Sequence, residues 1–148
     1  MGHPRYRNQE LNEAGFRSYF REHAPDFTLL EPLRTFESAA VAEEMTERLL
    51  RQTPDMTALY VAGGGISGAL QTLRNSDRPG QCVVIGYELI DVTRAALLDK
   101  TMTLAICHPL QRLARELING MVHAVEHPST GRNYTSIVPF DICTRENI

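Results

Sequence analysis

Residues 57–70 read TALYVAGGGISGAL. A short apolar run, three consecutive glycines and the start of a second apolar segment predict a buried strand, a tight turn and a helix. Gly63, Gly65 and Gly68 fit the spacing G-x-G-x-x-G, and Glu88 ends the next apolar run 20 positions later. This is the layout of a dinucleotide-binding fingerprint, in which the acid accepts hydrogen bonds from a ribose.

Outward from this turn, the chain alternates between helical and strand patterns. We predict helices at 9–23, from Ser38, from Asp91 as a helix cap, and at 110–125, and strands at 27–33, 58–62, 82–86, 104–107 and 134–142. This alternation indicates an α/β fold with three layers, in which helices cover both faces of a mainly parallel sheet. Ligands of such sheets bind beyond the carboxyl ends of the strands. Tyr87–Glu88, Cys107–His108 and the glycine turn are therefore predicted to share one rim.

Size and composition limit the class of protein. The chain has 148 residues, 43% of them apolar and 22% charged, which is ordinary for one soluble domain. A net charge of −3 gives no electrostatic footprint for nucleic acid. No apolar run is long enough for a membrane span, and the first ten residues are too polar for a signal peptide. Three widely spaced cysteines without a C-x-x-C pair favour a reducing cytoplasm.

The glycine turn leaves alternatives open. One hypothesis is a Rossmann-like oxidoreductase fragment that binds NAD or FAD. Against it, the fingerprint normally opens the first βαβ unit, whereas here an earlier helix, strand and helix precede it. The chain is also short for a dinucleotide together with a catalytic apparatus. Equally, the small residues can serve only to let a helix pack closely on its strand.

Two histidine-containing groups predict no catalytic or metal site. Cys107 and His108 are adjacent on a strand and therefore point to opposite faces, which argues against a nucleophile–base pair. His123 and His127 lie one helical turn apart without a third ligand nearby, so we interpret them as imidazoles favoured by the helix dipole at its C-terminus. We therefore expect that the protein is not an enzyme and that it binds no metal and no cofactor.

Four stretches taken in order resemble a known family. They are NEAGFRSYF (12–20), ALYVAGGGISGALQTL (58–73), the region 83–125 that opens with VVIGYELIDVTRAALL, and FDICTRENI (140–148). Their order and spacing resemble the effector-binding domain of LacI-type (lac repressor family) transcription regulators, which has the fold of periplasmic sugar-binding proteins. The resemblance covers nearly the whole chain.

This resemblance implies a ligand sensor. Residues 1–148 would form part of an effector-binding and dimerisation domain, namely the C-terminal subdomain of the periplasmic-binding-protein-like fold plus the crossover helix 109–126. The expected partners are a small-molecule effector, commonly a sugar, and a second copy of the chain in a homodimer. Operator DNA would be bound only through an N-terminal domain that is absent from these residues, and no membrane partner is expected.

The resemblance also points to site residues. Asn12 stands where the family has an effector-binding arginine, Gly63 and Gly64 replace an Asn-Asp pair, and Glu88 replaces an Asp. A carboxylate at a strand end can accept two hydroxyl hydrogen bonds, as polyol recognition requires. Tyr87 offers a flat face and a hydroxyl, and His108 caps the long helix or lines the cleft. The predicted ligand-binding set is Glu88, Asn12, Gly63, Gly64, Tyr87 and His108.

The last predicted helix carries an apolar stripe with no partner assigned by the sequence. Its members recur at i, i+3, i+4 and i+7: Leu110, Leu113, Ala114, Leu117, Ile118, Met121, Val122 and Val125. By the resemblance, this helix packs against the other lobe. An uncovered stripe of this size favours association, so we predict that the chain dimerises or exchanges elements between copies.

Overall fold

The strand–turn–helix unit predicted at the glycines is present in the computed structural model. The structure describes residues 7–77, 80–127 and 135–148, with side chains from Gln9 onward. In chain order, the elements are α1 (Arg7–His23), α2 (Ala39–Gln52), β1 (Ala58–Tyr60), α3 (Ile66–Asn75), β2 (Val83–Tyr87), α4 (Asp91–Leu98), β3 (Leu104–Cys107), α5 (Leu110–Glu126) and β4 (Asp141–Cys143).

The four strands form one sheet in the order β1-β2-β3-β4. The first three strands are parallel, with Tyr60 opposite Ile85 and Gly86 opposite Ala105. Strand β4 pairs antiparallel with β3, and Ile142 lies opposite Ile106. The predicted α/β class with a mainly parallel sheet is confirmed.

One face of the sheet carries the core. Side chains from α3 and α4 pack on inward residues of β2 and β3, forming a cluster of Leu70, Leu73, Val84, Ala96, Leu97, Met102, Ala105 and Cys107. Helix α2 adds a further layer against α3, where Ala42 is buried. Its predicted cap is confirmed, since the Val41 N–H donates to the Ser38 hydroxyl at 3.4 Å.

Helix α1 covers part of the opposite face. The Phe16 ring stacks on Tyr60 with 4.8 Å between centroids. Other parts of this face are accessible to solvent, since the side chains of Val83 and Ile142 are 46% and 50% exposed. Helices therefore lie on both sides of the sheet, as predicted, although the cover is unequal.

The predicted strand at 27–33 is wrong: these residues are not paired. Residues 26–33 and Thr35 line a cavity of about 640 Å³ together with β1. An extended segment becomes a strand only when a neighbour supplies backbone partners, and no described strand pairs with this one. Pro32 offers no N–H, and the Leu30 carbonyl instead accepts from the Arg17 guanidinium at 3.2 Å.

Two other boundaries also differ from the predictions. The strand predicted at 134–142 is confined to Asp141–Cys143; residues 135–140 are unpaired and 134 lies outside the described residues. Helix α4 begins at Asp91 with Ile90 in the cap position, so Asp91 is not the cap. It buries Thr93, Ala96 and Leu97, whereas Leu98 is 58% exposed.

The apolar stripe of α5 is uncovered. No residue of this helix is buried, and Leu117, Met121 and Val125 are 64%, 63% and 80% exposed. Within the described residues, no helix is long and apolar enough to cross a membrane. Helix α5 is therefore amphipathic, and its apolar side is exposed.

A candidate ligand-binding rim

The carboxyl ends of β1, β2 and β3 meet at one edge, because these three strands are parallel. The glycine turn follows β1, Glu88 follows β2, and His108 follows β3. The rim predicted from the sequence is therefore formed by these three connections.

Two hydrogen bonds hold the backbone of Glu88 in place. It adopts a left-handed conformation with φ of 62°, which is uncommon for a residue with a side chain. Its N–H donates to the Ile106 carbonyl at 2.9 Å, and its carbonyl accepts from the Thr93 hydroxyl at 2.6 Å. Thr93 is fully buried and also accepts from the Ile90 N–H at 2.9 Å. One threonine therefore caps α4 and anchors the residue that carries the carboxylate.

The Glu88 carboxylate contacts His108. One carboxylate oxygen binds the imidazole Nδ1, and the other lies 3.4 Å from the His108 backbone N–H. Both side chains remain accessible, at 38% for Glu88 and 58% for His108. Both residues were predicted to lie on the rim, but their pairing was not predicted. Their positions just beyond adjacent parallel strands were the available signal.

Tyr87 and Asn12 lie in a depression between α1 and the sheet. This cavity of about 380 Å³ is lined by Leu11, Asn12, Gly15, Phe16, Tyr19, Phe20, Tyr60, Ile85, Tyr87 and Ile106. The Tyr60 and Tyr87 hydroxyls are 2.7 Å apart. Burial and the hydrogen bond to Tyr87 raise the pKa of Tyr60, so its phenol stays neutral. Sequence reasoning missed Tyr60 and Phe16, since both follow an ordinary core pattern.

Gly63 and Gly64 belong to a different part of the rim. They line the 640 Å³ cavity beside residues 26–35. The space that a side chain would need at Gly63 is occupied by Gln9, and at Gly64 by Glu37. Gln9 donates to the Glu37 carboxylate at 2.8 Å, and the Gly64 carbonyl accepts from Thr35 at 3.1 Å. Gln9 and Glu37 are polar groups at the turn that the sequence analysis did not identify.

The dinucleotide hypothesis is not supported by this packing. A Cβ at Gly68 would collide with the Ala39 carbonyl, so the last glycine of the fingerprint serves the α2–α3 contact. Gly65 has φ of 85° and caps α3, where it lies against Ser38 and Ala42. The close contacts that these two glycines allow are therefore made with α2 and its cap, and not with a cofactor.

The histidine and cysteine groups form no metal site within the described ranges, where no cluster of three or more ligating side chains is found. His127 is the C-cap of α5, and its N–H donates to the His123 carbonyl at 3.0 Å. Cys107 packs in the core cluster, whereas His108 contacts the Glu88 carboxylate.

Comparison with known proteins identifies the fold. None of the curated proteins matches this chain. A sugar-binding protein of an ABC transporter from Bacillus halodurans superposes with a TM-score of 0.83 at 13% identity, covering 97% of this chain and 53% of that one. A periplasmic solute-binding protein from Actinobacillus succinogenes with bound D-allose gives 0.81 at 18% identity, covering 99% and 50%.

A third solved structure gives the same result. The solute-binding protein from Agrobacterium vitis with bound α-D-tagatopyranose has a TM-score of 0.80 at 17% identity, covering 94% of this chain and 46% of its own. This chain thus spans about half the length of the structures that it resembles. The family model of the periplasmic binding protein domain matches residues 1–128. The chain therefore belongs to the periplasmic binding protein domain family.

Proposed function

We propose that the rim binds a small polyhydroxylated molecule of the monosaccharide class. The observation that supports this most is the Glu88–His108 pair, a partly exposed carboxylate and imidazole at the ends of adjacent parallel strands. A carboxylate accepts from two vicinal hydroxyls, and the imidazole contributes a further donor or acceptor. Tyr87, next to Glu88, supplies an aromatic face for the apolar side of a sugar ring. The fold neighbours that hold D-allose and tagatopyranose support the same ligand class.

The ligand-binding set of this proposal is Glu88 and His108 first, then Tyr87 and Asn12 beside the aromatic cavity, and Gly63 and Gly64 at the turn. Glu88 has the strongest support because Thr93 and Ile106 hold its backbone while its carboxylate remains accessible. The contribution of the two glycines is backbone hydrogen bonding, since neither offers a side chain.

The test is a calorimetric titration of the chain with D-allose, D-tagatose and D-glucose at millimolar concentration. A binding sugar should lose roughly ten-fold or more in affinity in Glu88→Gln, because charge-assisted hydrogen bonds contribute about 1.5–3 kcal/mol each. Glu126→Gln on α5 is the matched control and should leave the affinity unchanged. Equal affinity of Glu88→Gln and the unsubstituted chain would contradict the proposed site.

The biological role that we propose is the sensor domain of a LacI-type transcription regulator, which acts in the cytoplasm and is not an enzyme. Support comes from the four stretches that resemble this family. In such a regulator, sugar binding and operator binding are linked reciprocally through the arrangement of the lobes. Residues 1–148 would supply effector binding and dimerisation, and operator DNA would be contacted by an N-terminal domain.

A second candidate role is the lobe of an ABC-transporter solute-binding protein, which the fold neighbours favour. The coding sequence immediately upstream discriminates between the two. A helix-turn-helix in the same reading frame, and operator retention in a gel-shift assay that responds to the sugar, support the regulator. A secretory signal sequence there would overturn the regulator and favour the transporter component.

A further inference from the structure

Two thiols meet where β4 joins the sheet. The Cys107 and Cys143 sulfurs are 3.0 Å apart, on residues 36 positions apart in the chain. Ala105 pairs with Cys143 and Cys107 with Asp141, so the two cysteines are diagonal neighbours across an antiparallel ladder. Both side chains face the core side of the sheet, where Cys143 packs against the cluster that contains Cys107. Neither is in a disulfide.

We propose that Cys107 and Cys143 form a reversible disulfide, which makes this pair a redox modification site of the protein. A disulfide bond measures about 2.05 Å, so the sulfurs need to approach by only about 1 Å from their present separation. The two side chains already lie on one face of the ladder as diagonal neighbours, with their sulfurs in contact.

The order of the steps follows from burial. Cys143 is partly exposed, whereas Cys107 is buried at 7% exposure. Burial, followed by the hydrogen bond to Cys143, raises the pKa of Cys107 to about 12, so this sulfur stays protonated at neutral pH. Cys143 is therefore the sulfur that an external reagent reaches and that attacks first.

The oxidant is a low-molecular-weight disulfide such as oxidised glutathione. The Cys143 thiolate attacks one sulfur of the reagent, a mixed disulfide forms, and the first small thiolate leaves. Cys107 then loses its proton to solvent and attacks the Cys143 sulfur, expelling the second small thiolate. The two protein thiols lose two electrons and two protons in total, and the reagent is reduced to two thiols.

Cys82 is the internal reference. It lies just before the amino end of β2, whereas Cys107 is at the carboxyl end of the parallel strand β3. The two residues therefore lie at opposite ends of the parallel strands. A disulfide between Cys107 and Cys143 would cross-link the three-residue strand β4 to its neighbour β3. It would also close a loop that includes α5, which constrains the unfolded chain.

The experiment is mass spectrometry and thermal unfolding of the whole chain after equilibration with glutathione buffers of increasing oxidation. We expect the number of free thiols to fall from three to one, with a peptide linkage between Cys107 and Cys143 and full reversal by dithiothreitol. The oxidised chain should melt roughly 5–10 °C higher than the reduced chain. Cys82→Ser should form the same disulfide, with its number of free thiols falling from two to none.

Single variants identify the two roles. Cys107→Ser should accumulate a glutathione adduct at Cys143, whereas Cys143→Ser should show neither the adduct nor the intramolecular disulfide. Cys143 lies on a partly exposed edge strand, so its serine variant keeps the test valid even if Cys107→Ser does not fold. Persistence of three free thiols under oxidising buffer would overturn the proposal, as would disulfides that form only between chains.

Discussion

Gly68 illustrates how one residue can satisfy a sequence motif for a different physical reason. The glycine spacing is compatible both with a cofactor site and with close packing of a helix. The Ala39 carbonyl and the Glu43 N–H lie in the space that a Cβ at Gly68 would occupy. The packing alternative holds at this residue, although the contact is made with another helix and not with the strand. A motif defined by spacing does not distinguish these cases, because both require the same missing side chain.

Gly68→Ala should therefore destabilise the protein. Backbone atoms of α2 cannot give way as the end of a flexible side chain can, so we expect a loss of about 2–3 kcal/mol and a melting temperature lower by roughly 5–12 °C. Gly15→Ala is the matched control, because nothing lies within 4 Å of its Cβ position in α1. That substitution should stabilise by about 0.5–1 kcal/mol through helix propensity. Equal effects in thermal denaturation would refute this account.

At the rim, the sequence predicted the position of Glu88 and not its conformation. The left-handed backbone depends on the buried Thr93 hydroxyl and on the Ile106 carbonyl of the next strand. The pairing with His108 depends on how far β3 extends relative to β2. Neither property is encoded by residues close to Glu88 in the chain alone.

At the scale of elements, α3 and α4 are tied together at their C-terminal ends. Arg74 of α3 contacts the Asp99 carboxylate, which follows α4, at 2.7 Å. The second Asp99 oxygen accepts from the Thr101 N–H at 2.9 Å. Burial of Asp99 acts to raise its pKa, but the hydrogen bonds from Thr101 and Arg74 outweigh burial and lower it. The folded protein therefore favours the charged carboxylate.

This lowered pKa predicts a pH dependence of stability. The contribution of Asp99 is present above its unfolded pKa of about 3.9 and is lost as pH falls through the lower folded value. Asp99→Asn keeps the Thr101 hydrogen bond and removes the charge. We expect its melting temperature at pH 7 to be about 2–4 °C lower, because the pair is partly exposed and contributes at most about 1 kcal/mol. The difference should shrink below about pH 4; an equal difference at pH 3 and pH 7 would contradict this.

The segment 27–33 shows where element prediction fails. Its composition favours a strand, yet pairing needs a neighbour that the local sequence does not contain. In the structure, residues 26–33 and Thr35 line a 640 Å³ cavity and pair with none of the described strands. By contrast, β1, β2 and β3 were predicted correctly because each is a short apolar run bounded by turn residues and supported by an adjacent parallel partner.

At the scale of the whole molecule, the surface that bears on assembly is the apolar stripe of α5. Leu110, Leu117, Met121 and Val125 are each more than 60% exposed. Contiguous apolar surfaces of this kind mark interaction sites. We propose that a second copy of the chain covers the stripe, consistent with the dimer predicted from the sequence.

Sedimentation velocity at increasing concentration tests this proposal. The unsubstituted chain should self-associate, and Leu117→Lys should shift it toward monomer, because a charge placed in an apolar contact is costly to bury. Asn119→Lys adds the same charge away from the stripe and should leave association unchanged. A monomer at all concentrations, or equal effects of both variants, would contradict the proposal.

The sequence by itself determined the α/β class, the three parallel strands, the rim at their carboxyl ends and the amphipathic character of α5. These properties depend on local periodicity and on turn residues, which a short window contains. Only the tertiary structure decided the Glu88–His108 pair, the Tyr60–Tyr87 contact, the adjacent Cys107 and Cys143 sulfurs and the unpaired segment 27–33. Each of these depends on the lateral register of strands or on the presence of a neighbour, and residues distant in the chain set both.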